Sequence, residues 1–207
     1  MSVQEAATGK TPDNARKSAA ERLCEKATDL FYKRGIRAVG VDEIVNETGV
    51  TKPTLYRNFA SKDDLVAVCL RKQMDEGFAR WQAIAARHAD DPWAEMRAHL
   101  NAWAEEIAAP DYRGCPASNT AVEFPEASHP ARLISDECKA GMRQRLGDVA
   151  RRMGIGDPDA LADGLVLLVE GACSSRHTSG SQGPSSTLVA TAEMLIAAYA
   201  ARVKIDA

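Results

Sequence analysis

Between residues 41 and 70, apolar positions fall at helical spacing in three successive runs. Val41, Ile44 and Val45 form the first stripe, with Asp42, Glu43 and Asn46 between them. Acidic residues in a first turn suit the positive end of the helix dipole. Gly49 can adopt the left-handed conformation that ends a helix, and Val50 then plugs the angle. Thr51 reads as the N-cap of a second short helix, whose first turn tolerates Pro53. Leu55 and Phe59, four apart, make its buried edge. Thr51, Lys52, Thr54, Tyr56 and Arg57 are left facing outward. A rigid two-helix corner carrying hydroxyls, cations and a phenol matches an anionic, hydrogen-bonding surface. Duplex DNA is such a surface, and the pattern predicts a helix-turn-helix.

The same periodicity organises the rest. A first helix is predicted from near Asp13 or Asn14 to Gly35, with Leu23, Ala27, Leu30 and Phe31 as its inner stripe. Ser61 caps a long helix that runs past Trp81 to about Arg87. Asp91, Pro92 and Trp93 open a helix that stops at Pro110. A breaker-rich stretch holds a short helix over 119–124, and His129 and Pro130 open another over 131–153. The last two helices are predicted over 158–174 and 186–203, joined by a Ser/Gly-rich loop. The divisions are an arm at 1–12, a DNA-binding unit at 13–60, a connecting helix at 61–90 and a body at 91–207.

Composition agrees. Alanine is abundant, β-branched runs are scarce and 45% of residues are apolar, which favours an all-α fold with a real core. The net charge of −3 is unevenly spread. Residues 10–72 hold 13 Lys and Arg against 9 Asp and Glu, and the remainder holds 13 against 20. The basic end suits phosphate, with the acidic body turned away. Lys10, Arg16 and Lys17 extend that basic end. No apolar run approaches the ~18 residues of a membrane span, and the first ten residues lack the apolar core of a signal peptide. The expected location is cytoplasmic.

The helix-turn-helix block resembles the TetR family of bacterial transcriptional regulators. The resemblance rests on residues 31–35 and 41–44, on Gly49-Val50-Thr51-Lys52-Pro53-Thr54-Leu55-Tyr56 with Phe59, and on Ser61-Lys62-Asp63-Asp64-Leu65. It implies a three-helix DNA-binding head and a helical-bundle body that binds a small-molecule effector. It further implies repression of a near-palindromic operator by a homodimer, paired through the helices at 158–174 and 186–203. In the family, the residue matching Lys62 meets phosphate. Members usually carry Thr or Ser where this chain has Gly40, so only the Gly40 backbone N–H is left for that phosphate.

The dimer has a separate physical argument. Residues 165–169 are apolar all round, which implies burial on more than one side. Half-sites would lie about 34–36 Å apart. Candidate effector contacts are Trp103, Phe124, Ile107, Tyr112 and Met142, with Trp81 and Leu146 nearby.

Five cysteines without a Cys-x-x-Cys pair argue against a disulfide framework. Cys115 stands apart, in a loop two residues from Arg113. A nearby cation activates a thiol, so Cys115 is a candidate redox or electrophile sensor. His88, His99, His129 and His177 show no metal-ligand spacing, and no cofactor is expected. Neither a phosphate loop nor a nucleophile motif supports an enzyme. A DNA-independent helical scaffold remains as the other alternative.

Overall fold

The computed structural model describes residues 17–203, and among these the regular structure is entirely helical. The proposed arm, Lys10, Arg16 and the start near Asp13 or Asn14 lie outside the described residues.

Three short helices build the head. Helix α1 (Ala19–Arg34) is fixed at its start by a reciprocal capping box. The Ser18 hydroxyl accepts from the Glu21 N–H at 3.2 Å, and the Glu21 carboxylate accepts from the Ser18 N–H at 2.7 Å. This cap fixes the start of the described helix at Ala19. Helix α2 (Val41–Thr48) ends at Gly49, whose φ of 64° is the left-handed turn expected there. Helix α3 (Lys52–Asn58) is capped by Thr51, with Pro53 in its first turn. Leu23, Ala27, Val39, Ile44, Leu55 and Leu65 are sealed from water and lock the three together.

Helix α4 (Lys62–Arg87) starts at Ser61, which accepts from the Asp64 N–H at 3.0 Å. Its 26 residues reach roughly 39 Å. The first turns pack in the head, through Leu65, Val66, Cys69 and Leu70. The far end carries Trp81 into the body.

The body comprises α5 (Pro92–Ala108), α6 (Pro116–Glu123), α7 (Pro130–Arg152), α8 (Pro158–Ser179), a 3-10 turn (Pro184–Thr187) and α9 (Leu188–Val203). Each of α5 to α8 begins with proline, where the missing N–H costs nothing. Helix α7 is central, packing on α4, α5, α6 and α8. Its Leu146 shares a core cluster with Met96, Leu100, Leu161 and Leu165 of the neighbouring helices.

Helix boundaries differ from expectation at α6, at α8 and at α9, which begins at Leu188 after the 3-10 turn rather than at 186. Helix α6 begins at Pro116 rather than near Asn119, because proline presets the first helical turn. Helix α8 continues past residue 174 to Ser179. The polar tail stays helical because Arg176 reaches the carbonyls of Ile107 (3.1 Å) and Ala109 (3.2 Å). The predicted Ser/Gly loop shrinks accordingly.

Candidate functional site

The outer side of α3 is open. Thr51, Lys52, Tyr56 and Arg57 are exposed, and Tyr56 shows 51% of its surface although Leu55 beside it shows none. The Thr51 and Thr54 hydroxyls lie 3.0 Å apart. Lys52 is held 2.6 Å from Asp42 of α2, which raises its pKa through that hydrogen bond and charge. Gly40 caps α2 with no side-chain bond, and a Cβ added there would meet nothing within 4 Å. Gly40 itself is exposed.

Two basic residues are engaged elsewhere. Lys62 points inward, donating to the Ile36 carbonyl at 2.6 Å and lying 5.9 Å from the Phe31 ring centre. Burial lowers its pKa. As placed, its ammonium braces the turn between α1 and α2 instead of facing a phosphate. Lys17 pairs with Glu25 at 2.7 Å.

Head and body are joined through α6. The Glu123 carboxylate at its end accepts from the backbone N–H groups of Ile36 (2.9 Å) and Arg37 (2.7 Å). Nearby, the Arg113 N–H donates to the Tyr32 hydroxyl at 2.8 Å. A cleft of about 380 Å³ runs along this junction. Phe124 belongs here as well. It was expected to line an effector pocket, but it packs in the head's apolar cluster and stacks on His129 at 3.9 Å.

The body holds a cavity of about 650 Å³ between α4, α5, α7 and α8. Trp81, Trp103, Ile107, Tyr112 and Met142 line it as expected. Leu146 does not, because it points into the body core with no exposed surface. Burial raises the Tyr112 pKa. His99 lies against Trp81, ring centres 3.4 Å apart and nearly parallel. Burial, reinforced by His88 and Arg145, lowers the His99 pKa to about 4, so the imidazole is neutral near neutrality.

Cys115 also lines the cavity, and its neighbouring cation is Lys139, not Arg113. The Lys139 ammonium lies 3.1 Å from the Cys115 sulfur and also pairs with Glu170, which accepts from the Ser118 hydroxyl at 2.8 Å. Arg113 is exposed and joins the junction through its backbone. The turn before Cys115 requires glycine, since Gly114 has a φ of 95° and a Cβ there would come within 2.7 Å of His177 Nε2. Burial pushes the thiols of Cys138 and Cys173 upward, Cys173 to about 11. Glu123, His99, Lys139, Arg145 and Glu170 escaped the sequence reading. The i,i+4 spacing of Glu95 and His99 is the one sequence signal that could have pointed to this pair.

Residues 23–69 match the family described as bacterial regulatory proteins, tetR family. Residues 92–190 match the C-terminal domain of LmrA/YxaF-like transcriptional regulators. A solved putative TetR transcriptional regulator from Streptomyces avermitilis is 31% identical, covering 88% of this chain and 98% of that one, with a TM-score of 0.74. The chain belongs to the TetR family of bacterial transcriptional regulators. A TetR-family regulator from Streptomyces coelicolor is 28% identical and superimposes over 86% of this chain and 94% of its own, with a TM-score of 0.82.

Among named TetR-like relatives, the transcriptional activator FasR of Mycolicibacterium smegmatis is 34% identical over 42% of this chain and 39% of its own length. The transcriptional repressor KstR2 of Mycobacterium tuberculosis is 40% identical over 30% of this chain and 31% of its own. The chain thus spans less than half the length of these two curated relatives. The family's DNA-binding domain is present, and among the described residues no helix is long and apolar enough to cross a membrane.

Proposed function

We propose that this chain is a homodimeric repressor that leaves its operator when a small molecule enters the body cavity. The observation that carries this reading is the α3 surface. Thr51, Lys52, Tyr56 and Arg57 are exposed along a helix whose other side is sealed by Leu55, with Lys52 paired only to the surface carboxylate of Asp42, so the set can serve a partner outside the subunit. Tyr56, Thr51 and Thr54 would meet bases and backbone, with Lys52, Arg57 and the Gly40 N–H on phosphate. Pairing through α8 and α9 is supported by Leu167 and Met194, which expose 73% and 66% of their surfaces in one subunit.

Release would run through α6. Its N-terminal turn, Cys115 and Pro116, forms cavity wall, while its last residue, Glu123, grips the turn leading into α2. A ligand that moves the first shifts the second and re-aims α3. The Lys139 contact also supports a second trigger, in which an electrophile alkylates the Cys115 sulfur from inside the same cavity.

The test is a fluorescence-anisotropy titration against DNA from upstream of the protein's own gene. Binding is expected at low salt, weakened about tenfold in Tyr56→Ala with melting unchanged. No binding by wild type at low salt would overturn the regulator reading. Equal release by alkylation of wild type and Cys115→Ser would remove the second trigger.

A further inference from the structure

Arg145 is a cation without a counter-ion on the cavity wall. It comes from α7, and its guanidinium carbon lies 5.0 Å from the Phe78 ring centre and 5.6 Å from that of Trp81. Aromatic faces hold a guanidinium in plane but leave its five N–H donors unused. No hydrogen bond or ion pair joins Arg145 to another described residue. Its Nε is buried without an acceptor. The other inner cation, Lys139, is already neutralised by Glu170. The remaining charged groups on the wall include Glu76, Glu105 and Glu106 with Arg80 and Arg87, all exposed. Water screens these, so the inner wall keeps one unbalanced positive charge.

A second unsatisfied group lies against the same ring. His99 is 2% exposed and its Nε2 has no hydrogen-bond partner. The nearest acid, Glu95, is 3.7 Å away and is held by Arg152. Two unfilled polar positions thus lie against one indole, beside the aromatic and aliphatic wall made by Trp103, Ile107 and Met142. A half-buried cation without a partner costs free energy, and a ligand bringing the missing charge recovers it.

We infer that the cavity takes an amphipathic organic anion, its flat apolar body among Trp81, Trp103 and Ile107 and its carboxylate or similar oxyanion on Arg145, within reach of His99. The inference rests on the effector-cavity reading and adds the ligand's charge class to it. Neutral and cationic molecules of the same shape would leave Arg145 unpaired.

Two fluorogenic probes share one aromatic skeleton and differ in charge: 8-anilinonaphthalene-1-sulfonate and the neutral N-phenyl-1-naphthylamine. Wild-type full-length chain is expected to bind the anionic probe at least about tenfold tighter than the neutral one. Arg145→Gln should erase that preference while holding the neutral probe within about twofold of wild type. Arg145→Lys, which keeps the charge and loses the planar fork, should retain part of the preference. Equal binding of the two probes to wild type, or a preference that survives in Arg145→Gln, would overturn the proposal. An Arg145-dependent preference without any change in operator affinity upholds the anion site and refutes ligand-controlled release.

Discussion

Replacing Glu123 by alanine removes the acceptor of two backbone N–H groups at once. The bonds are 2.9 Å to Ile36 and 2.7 Å to Arg37, and the acceptor is a carboxylate. A hydrogen bond to a charged group contributes about 1.5–3 kcal/mol when shielded. Here the Arg37 side is exposed and the junction cleft admits water, so both N–H groups can be rehydrated. The net loss is therefore about 2 kcal/mol for the pair, not the sum of two shielded bonds. In a chain of this length that is a drop of about 4–8 °C in Tm, read by thermal denaturation at one fixed protein concentration. Operator anisotropy with and without an effector supplies the second measurement. Ligand affinity should stay within about twofold while ligand-driven release weakens, because the variant cuts the tie between cavity wall and head. A Glu123→Ala protein that melts within about 1 °C of wild type and releases DNA normally would refute both the energetics and the route through α6.

Leu55→Ala should destabilise the head by about 2–5 kcal/mol, since the side chain is fully buried; an unchanged urea midpoint would contradict the packing. His99 gives a pH prediction. Its folded pKa of about 4 lies below the ordinary value of 6.5, so the unfolded chain binds the extra proton and stability falls as pH drops from about 6.5 toward 4. Between pH 7 and 5 the loss is about 2 kcal/mol, and denaturant unfolding of His99→Phe should show that much less pH dependence. Leu167→Glu should convert dimer to monomer in sedimentation equilibrium, because it puts a charge on the exposed stripe of α8; a persistent dimer would place the interface elsewhere.

How much was legible from sequence follows the range of each interaction. Local signals served well. Gly49, Thr51 with Pro53, and Ser61 each act within four residues, and each places a helix end where the structure has it. The aromatic cavity wall was also readable, because Trp81, Trp103, Ile107, Tyr112 and Met142 fall on apolar stripes that had to meet. Phe124 shows the limit of that logic. A stripe says a ring is buried but not in which cluster, and this one lies with the head. Pairings across many residues left no trace. Glu123 with Ile36, Lys139 with Glu170 and Lys62 with the Ile36 carbonyl are set by how helices dock, and no spacing rule connects their partners. For the same reason, sequence proximity points to Arg113 while helix docking puts Lys139 beside Cys115.

The contact between Lys52 and Asp42 bears on how the protein searches a chromosome. Random DNA offers any basic protein a dense row of phosphates, and a head with all its cations loose would linger on every stretch it met. Here Lys52, Arg34 and Lys26 each already have an acid, and Arg57 is left without one among the described residues. On the proposed reading, loose encounters would be kept brief. The Lys52 ammonium would leave Asp42 only where the groove offers enough other contacts to hold α3 in place. The acid on α2 would then act as a competitor built into the head, trading grip on the wrong sequence for time to find the right one.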